Sequence, residues 1–136
     1  MKATATYSPT KWDEKPYNEL LPPMRMTKAS VEFAFKGQLE GHGQTEFLMF
    51  YSEFDEKDVH KSTAFYIGLT RFTGTLVGKS GSFVLEERGS FGAGTASSTA
   101  MIVAGSGTEQ LRGITGSAKS TATQTESQFE LDYQLL

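Results

Sequence analysis

Cysteine is absent from the 136 residues, which excludes disulfides and thiolate metal sites and fits a reducing compartment. Histidine occurs only twice, His42 in "EGHG" and His60 in "DVHK", each without a second ligand at metal spacing, so no metal site and no cofactor is expected. No apolar run approaches the ~20 residues of a membrane helix. "MKATATYSPTKW" also lacks the apolar stretch of a signal peptide. The expected location is cytoplasmic, with no membrane partner. A basic excess is missing too. The formal charge is −3, and the closest cluster, "DEKDVHK", is mixed in sign, which argues against a nucleic-acid partner. Helical periodicity is almost nowhere to be found.

Strand periodicity fills that gap. In "KASVEFAFKGQLEG", residues 28–41, Val31, Phe33, Phe35 and Leu39 share one face, and Lys28, Ser30, Glu32, Lys36 and Gln38 the other. "QFELDYQLL" at 128–136 alternates in the same way. Period two with one polar face is the mark of a half-buried strand. Further strands are read at 44–54, 62–74, 80–90, 94–105 and 117–124, with the N-terminal "ATATYS" as another. Turn signals separate them: "EGHG", "DEKD", "TLVGKSG", "SFGAG", "GSGT" and "GITG". About eight strands without a helical crossover must pair antiparallel, and the sheet must close or stack. The sequence therefore predicts an all-β single domain over residues 1–136, a closed antiparallel eight-stranded barrel, with a sandwich as the second choice. A barrel of that size is either filled by side chains or holds one small ligand.

Two segments break the pattern. "WDEKPYNELLPPM", 12–24, holds three of the four prolines and is expected to be a connection across a barrel end, anchored by Trp12 and Tyr17. "EFLMFY", 46–51, is apolar on both faces, which calls for cover by that connection or by a second subunit. The second is preferred, so a homo-oligomer, dimer or larger, is expected.

"MIVAGSGTEQLRGITG", 101–116, raises the question of a phosphate loop. It lacks the Gly-Lys-Ser/Thr ending of a Walker loop and the third glycine of a dinucleotide fingerprint. At most one helical turn fits before Gly113. The expected role is a structural corner, with Leu111 and Ile114 plugging the barrel end.

The run "FYIGLTRFTGTLVGKSGSFVLEERGSF" followed by "VAGSGTEQLRGITG" resembles a small bacterial family of unknown function. The resemblance implies the allene-oxide-cyclase-like, calycin-related barrel and no particular activity. The chain departs from the family pattern at Glu109, where glycine is common, and at Glu87, where histidine is common. No family site transfers through those two positions.

The candidate chemistry rests on carboxylates. Glu87 shares a face with Phe83 and Leu85, and Arg71 ends a largely apolar strand, so the two are expected to meet inside the barrel mouth. Glu46, Tyr66, Tyr51 and Trp12 complete the candidate set. Three functions follow from it. The first is a barrel that binds a small apolar or carboxylate ligand, and it is preferred. The second is a cyclase, isomerase or lyase with Glu46 or Glu87 as base and Tyr66 or Arg71 stabilising an oxyanion. The third is an oligomeric structural module with a filled core.

Overall fold

The computed structural model describes residues 1–18 and 20–135. Its strands are β1 (Lys2–Asn18), β2 (Arg25–Gly37), β3 (Leu39–Glu53), β4 (Thr63–Leu76), β5 (Lys79–Gly92), β6 (Thr95–Ile102), β7 (Thr115–Ala122) and β8 (Ser127–Gln134). Each pairs antiparallel with the next, and β8 returns to β1 through Ala3↔Leu131 and Ala5↔Phe129, so the barrel is closed. Closure removes the edges that an open eight-stranded sheet would present. Two of the hairpins turn in two residues, Val77-Gly78 and Ala93-Gly94, with positive φ at both positions. This sense of turn matches the twist of the strands it joins. Among the described residues no helix is long and apolar enough to cross a membrane.

The segment 12–24 departs from expectation. Residues 12–18 continue β1 and pair with β2, Trp12 opposite Val31 and Pro16 opposite Thr27. Pro16 misleads because it sits beside a register shift, as Pro9 does, where the ladder is already interrupted, whereas Pro22 and Pro23 lie between β1 and β2 as expected of a connection. The shift after Pro9 admits one extra residue and so exchanges the faces of β1. Ala3 and Ala5 are buried on one side of it, and Trp12 and Glu14 reach the barrel mouth on the other. "EGHG" is also not a turn. It lies inside β3, with His42 exposed on the outer wall, and the corner falls at Gly37-Gln38.

The corner after β6 closes one end. Its single 3₁₀ turn, Glu109–Leu111, buries Leu111 completely and Ile114 nearly so, at 0% and 1% exposure. The loop is stitched to β5: Thr108 N–H donates to the Ser82 carbonyl at 2.9 Å, and Ser106 Oγ accepts from Val84 N–H at 3.0 Å. β5 extends past β6 here, and these bonds satisfy backbone groups that would otherwise be orphaned. "GSGT" is thus a structural corner. Glu109 has φ +53°, a conformation that glycine adopts without strain.

Candidate functional site

The barrel interior has a filled half and an open half. Below, Phe35, Phe72, Phe83 and Phe129 pack edge-to-face or tilted with ring centroids 5.3–5.7 Å apart, over Leu111 and Ile114. Above, the β2–β4 wall presents Val31, Phe47, Met49, Tyr51 and Tyr66. The facing β5–β7 wall presents the small residues Gly89, Ala96, Ser98 and Ala122, together with Glu87 and Phe91. Large side chains on one wall and small ones on the other leave a cavity of about 490 Å³, open at the mouth. The smallness of residue 89 is required: a Cβ there would lie 2.5 Å from the Tyr66 hydroxyl oxygen.

A chain of side-chain hydrogen bonds runs across five strands of this interior. Thr45 Oγ1 and Thr70 Oγ1 are 2.7 Å apart, and Thr70 Oγ1 reaches Glu87 Oε1 at 3.4 Å. From the other side Ser98 Oγ donates to Glu87 Oε2 at 2.8 Å, and Ser120 bonds Ser98. Each hydroxyl has one proton, so both arms orient toward Glu87. Burial pushes the Glu87 carboxyl above the usual carboxylate range, with the bonds from Ser98 and Thr70 opposing the rise. Burial and then the Glu87 charge hold the Tyr66 phenol well above its ordinary value. Burial raises Tyr7 as well, with a smaller push from Glu87.

At the mouth a second carboxylate is held by three donors. Glu14 Oε1 accepts from Trp12 Nε1 at 2.9 Å, while Oε2 accepts from Thr27 Oγ1 and from the Tyr51 hydroxyl, both at 2.6 Å. Burial, followed by Glu14 as acceptor, holds the Tyr51 hydroxyl protonated far into the alkaline range.

Four of the six candidate residues therefore border one cavity: Glu87, Tyr66, Tyr51 and Trp12. Arg71 and Glu46 do not. Arg71 lies exposed on the outer wall opposite Val84, and Glu46 is on the outer wall too, accepting from Ser30 Oγ at 2.6 Å. The expected Arg71–Glu87 pair does not form. Alternation turns Tyr66, Thr70 and Phe72 inward, which sends Phe65, Ile67, Leu69 and Arg71 outward. The error arises because the outer face of β4 is as apolar as its inner face. Glu14, Thr70, Ser98 and Ser120 were missed. Ser98 had a signal, since it alternates with Ala96 and Ala100 on an otherwise apolar face. Glu14 had none, because the register shift before it is not legible.

No curated protein matches the chain. A crystal structure of a protein with unknown function from the DUF3224 family of Shewanella oneidensis MR-1 superposes with a TM-score of 0.76. The match covers 100% of this chain and 97% of that one at 22% identity, a likeness that bears on the fold alone. The family model described as "Protein of unknown function (DUF3224)" matches residues 3–133, from the first strand of the barrel into the last, and the chain belongs to that family.

Proposed function

We propose that the protein is a small-molecule binding barrel whose ligand, mainly apolar, enters the mouth and rests against the Glu87 hydrogen-bond chain. The observation that carries this reading is the cavity itself. Its volume of about 490 Å³ lies in the range of ligand pockets, and its walls are mostly rings and aliphatic chains with few polar groups at the floor. Gly89 makes room for the Tyr66 ring, while Ala96 and Ala122 leave the space beside it open. The arrangement is consistent with the allene-oxide-cyclase-like, calycin-related architecture that the sequence resemblance implies. A carboxylate ligand anchored by Arg71 is not supported, because Arg71 is outside. An isomerase reading is favoured by one observation, the Glu87 carboxyl beside the Tyr66 phenol, a base and a donor that border one cavity.

The test is an environment-sensitive apolar dye. One molecule is expected to bind per chain with micromolar affinity, which about fifteen heavy atoms at ~0.5 kcal/mol each supply. Ala96→Phe and Met49→Trp, which fill the cavity from opposite walls, are expected to abolish the signal while the fold persists by circular dichroism. Dye binding unchanged in both folded variants would move the site elsewhere.

A further inference from the structure

We propose that the cavity selects a small organic cation, a protonated or quaternary amine on an apolar body. Its ammonium would sit against Glu87, with the body against Phe47, Tyr66 and Phe91. This rests on the binding-barrel reading and adds the chemistry of the ligand. The first observation is the charge around the cavity. Glu87 lies in the floor, Glu14 and Glu126 at the mouth, and His60 on the rim; no lysine or arginine borders it among the described residues. Arg25, whose charge reaches Tyr51 at the mouth, is engaged with Glu56 at 3.5 Å and with the Phe54 ring at 3.9 Å. The second observation is the bonding of Glu87. It is held by two hydroxyls and by no cation, whereas a buried carboxylate is ordinarily paired. An ammonium entering from the mouth supplies the missing countercharge. The third is the wall. Tyr7, Phe47, Tyr66 and Phe91 present ring faces and edges around the floor, and Trp12 stands at the entrance. Aromatic rings attract cations through their quadrupole, most strongly where water is excluded.

Matched probes of one chain length separate the possibilities: octylamine, octanol and octanoate, each displacing the apolar dye at pH 7. Octylamine is expected to bind at least about tenfold more tightly than octanol, a difference of about 1.4 kcal/mol, and octanoate most weakly. Glu87→Gln is expected to bring the amine to within about threefold of the alcohol, read as the ratio of the two affinities in the same variant. Acidification is expected to weaken octylamine in the parent more than in Glu87→Gln, a comparison that separates Glu87 from Glu14, Glu126 and His60 around the mouth. The groups that face Glu87, namely Thr70, Ser98, Tyr66 and Tyr7, stay neutral throughout. Octanoate binding as tightly as octylamine, or an amine preference that survives Glu87→Gln, overturns the proposal. Equal binding of amine and alcohol leaves the cavity reading standing and removes the cation. Absence of dye binding removes both.

An independent observation carries a second proposal, on the outer wall. Leu48, Phe65, Ile67, Leu69 and Met101 are 42–61% exposed there, although they neighbour one another across β3–β6. An apolar patch of this kind is seldom left to water. The charges that frame it lie in two adjacent cross-strand rows. One row reads Lys28, Leu48, Ile67, Arg88; the next reads Ser30, Glu46, Leu69, Glu86. We infer that a second copy of this chain docks here about a two-fold axis that runs between the rows, perpendicular to the strands. That operation lays Ile67 on Leu69 of the second copy, Arg88 opposite Glu86 and Leu48 opposite Glu46, each contact made twice. The alternative axis, along β4, would lay Glu46 on Glu86 and repel. The 12–18 segment cannot serve as cover, because it is built into the wall on the far side of β2.

Sedimentation at micromolar concentration is expected to show a dimer. Arg88→Glu and Glu86→Arg are each expected to give monomers, and the double exchange in one chain is expected to restore the dimer, since both copies then carry the swapped pair. A monomeric parent, or a dimer indifferent to both single reversals, overturns the docking.

Discussion

Replacing Gly81 with valine is expected to cost about 3 kcal/mol or more of folding stability, at the upper end of what single substitutions do. φ at Gly81 is +159°, a backbone conformation that side chains rarely adopt. Crowding adds a steric demand. A Cβ at this position would lie 2.3 Å from the Thr108 carbonyl oxygen and 3.1 Å from Leu111 Cγ. Neither neighbour yields easily. The Thr108 carbonyl accepts from Leu111 N–H at 2.9 Å, and Thr108 N–H is bonded to the Ser82 carbonyl at 2.9 Å. A valine must therefore lift the whole corner from β5, which withdraws Leu111 and Ile114 from the filled half of the barrel and opens space beneath Phe83. Gly92→Val is the control. A Cβ there meets nothing within 4 Å, and a change below about 0.5 kcal/mol is expected. Urea midpoints of the three proteins decide the matter; equal midpoints for Gly81→Val and the parent would show that the corner does not close on β5.

Glu87→Gln is expected to stabilise the protein at pH 7 by about 1–3 kcal/mol, and to do so less and less as the pH falls. Glu87 has a higher proton affinity folded than unfolded, because burial penalises its charge. A carboxyl raised in this way contributes its full share of stability below the unfolded-state value, near pH 4, and loses it as pH rises through the folded value. Above that window the folded protein carries a buried charge that the unfolded chain solvates freely. Glutamine keeps an acceptor for Ser98 and carries no charge at any pH. The gain at pH 7 should thus shrink toward zero near pH 4, as followed by urea midpoints at both values. A variant less stable than the parent by the same amount at both would make Glu87 a structural acceptor only. Stability gained together with amine binding lost is the pattern expected of a residue kept for its site.

Much of the barrel was legible in the sequence, because alternation is a local property. The inward face of β2, with Val31, Phe33 and Phe35, and that of β8, with Phe129, Leu131 and Tyr133, follow from period two alone. The turns at "TLVGKSG", "SFGAG" and "GSGT" were legible from their glycines, and "EGHG", inside β3, was misread. The candidate set was half legible. Glu87 was found because it shares one face with Phe83 and Leu85, and Tyr66 and Tyr51 because buried hydroxyls need partners, not because alternation pointed them inward. Arg71 was misplaced because β4 is apolar on both sides, so period two could not choose its inner face.

By itself, then, the sequence determined the number of strands, their antiparallel order, and which residues alternate together, since each depends only on neighbours along the chain. Tertiary structure alone decided the rest. It decided which face of β3 and β4 turns inward, because that choice is made by the partners across the barrel. It decided that Glu14 reaches the mouth, because the extra residue after Pro9 appears only when β1 is laid against β2. It decided that Thr45, Thr70, Glu87, Ser98 and Ser120, spread over 76 positions (120 − 45, plus one), form one chain of hydrogen bonds, because strand register and barrel closure bring distant positions to the same level.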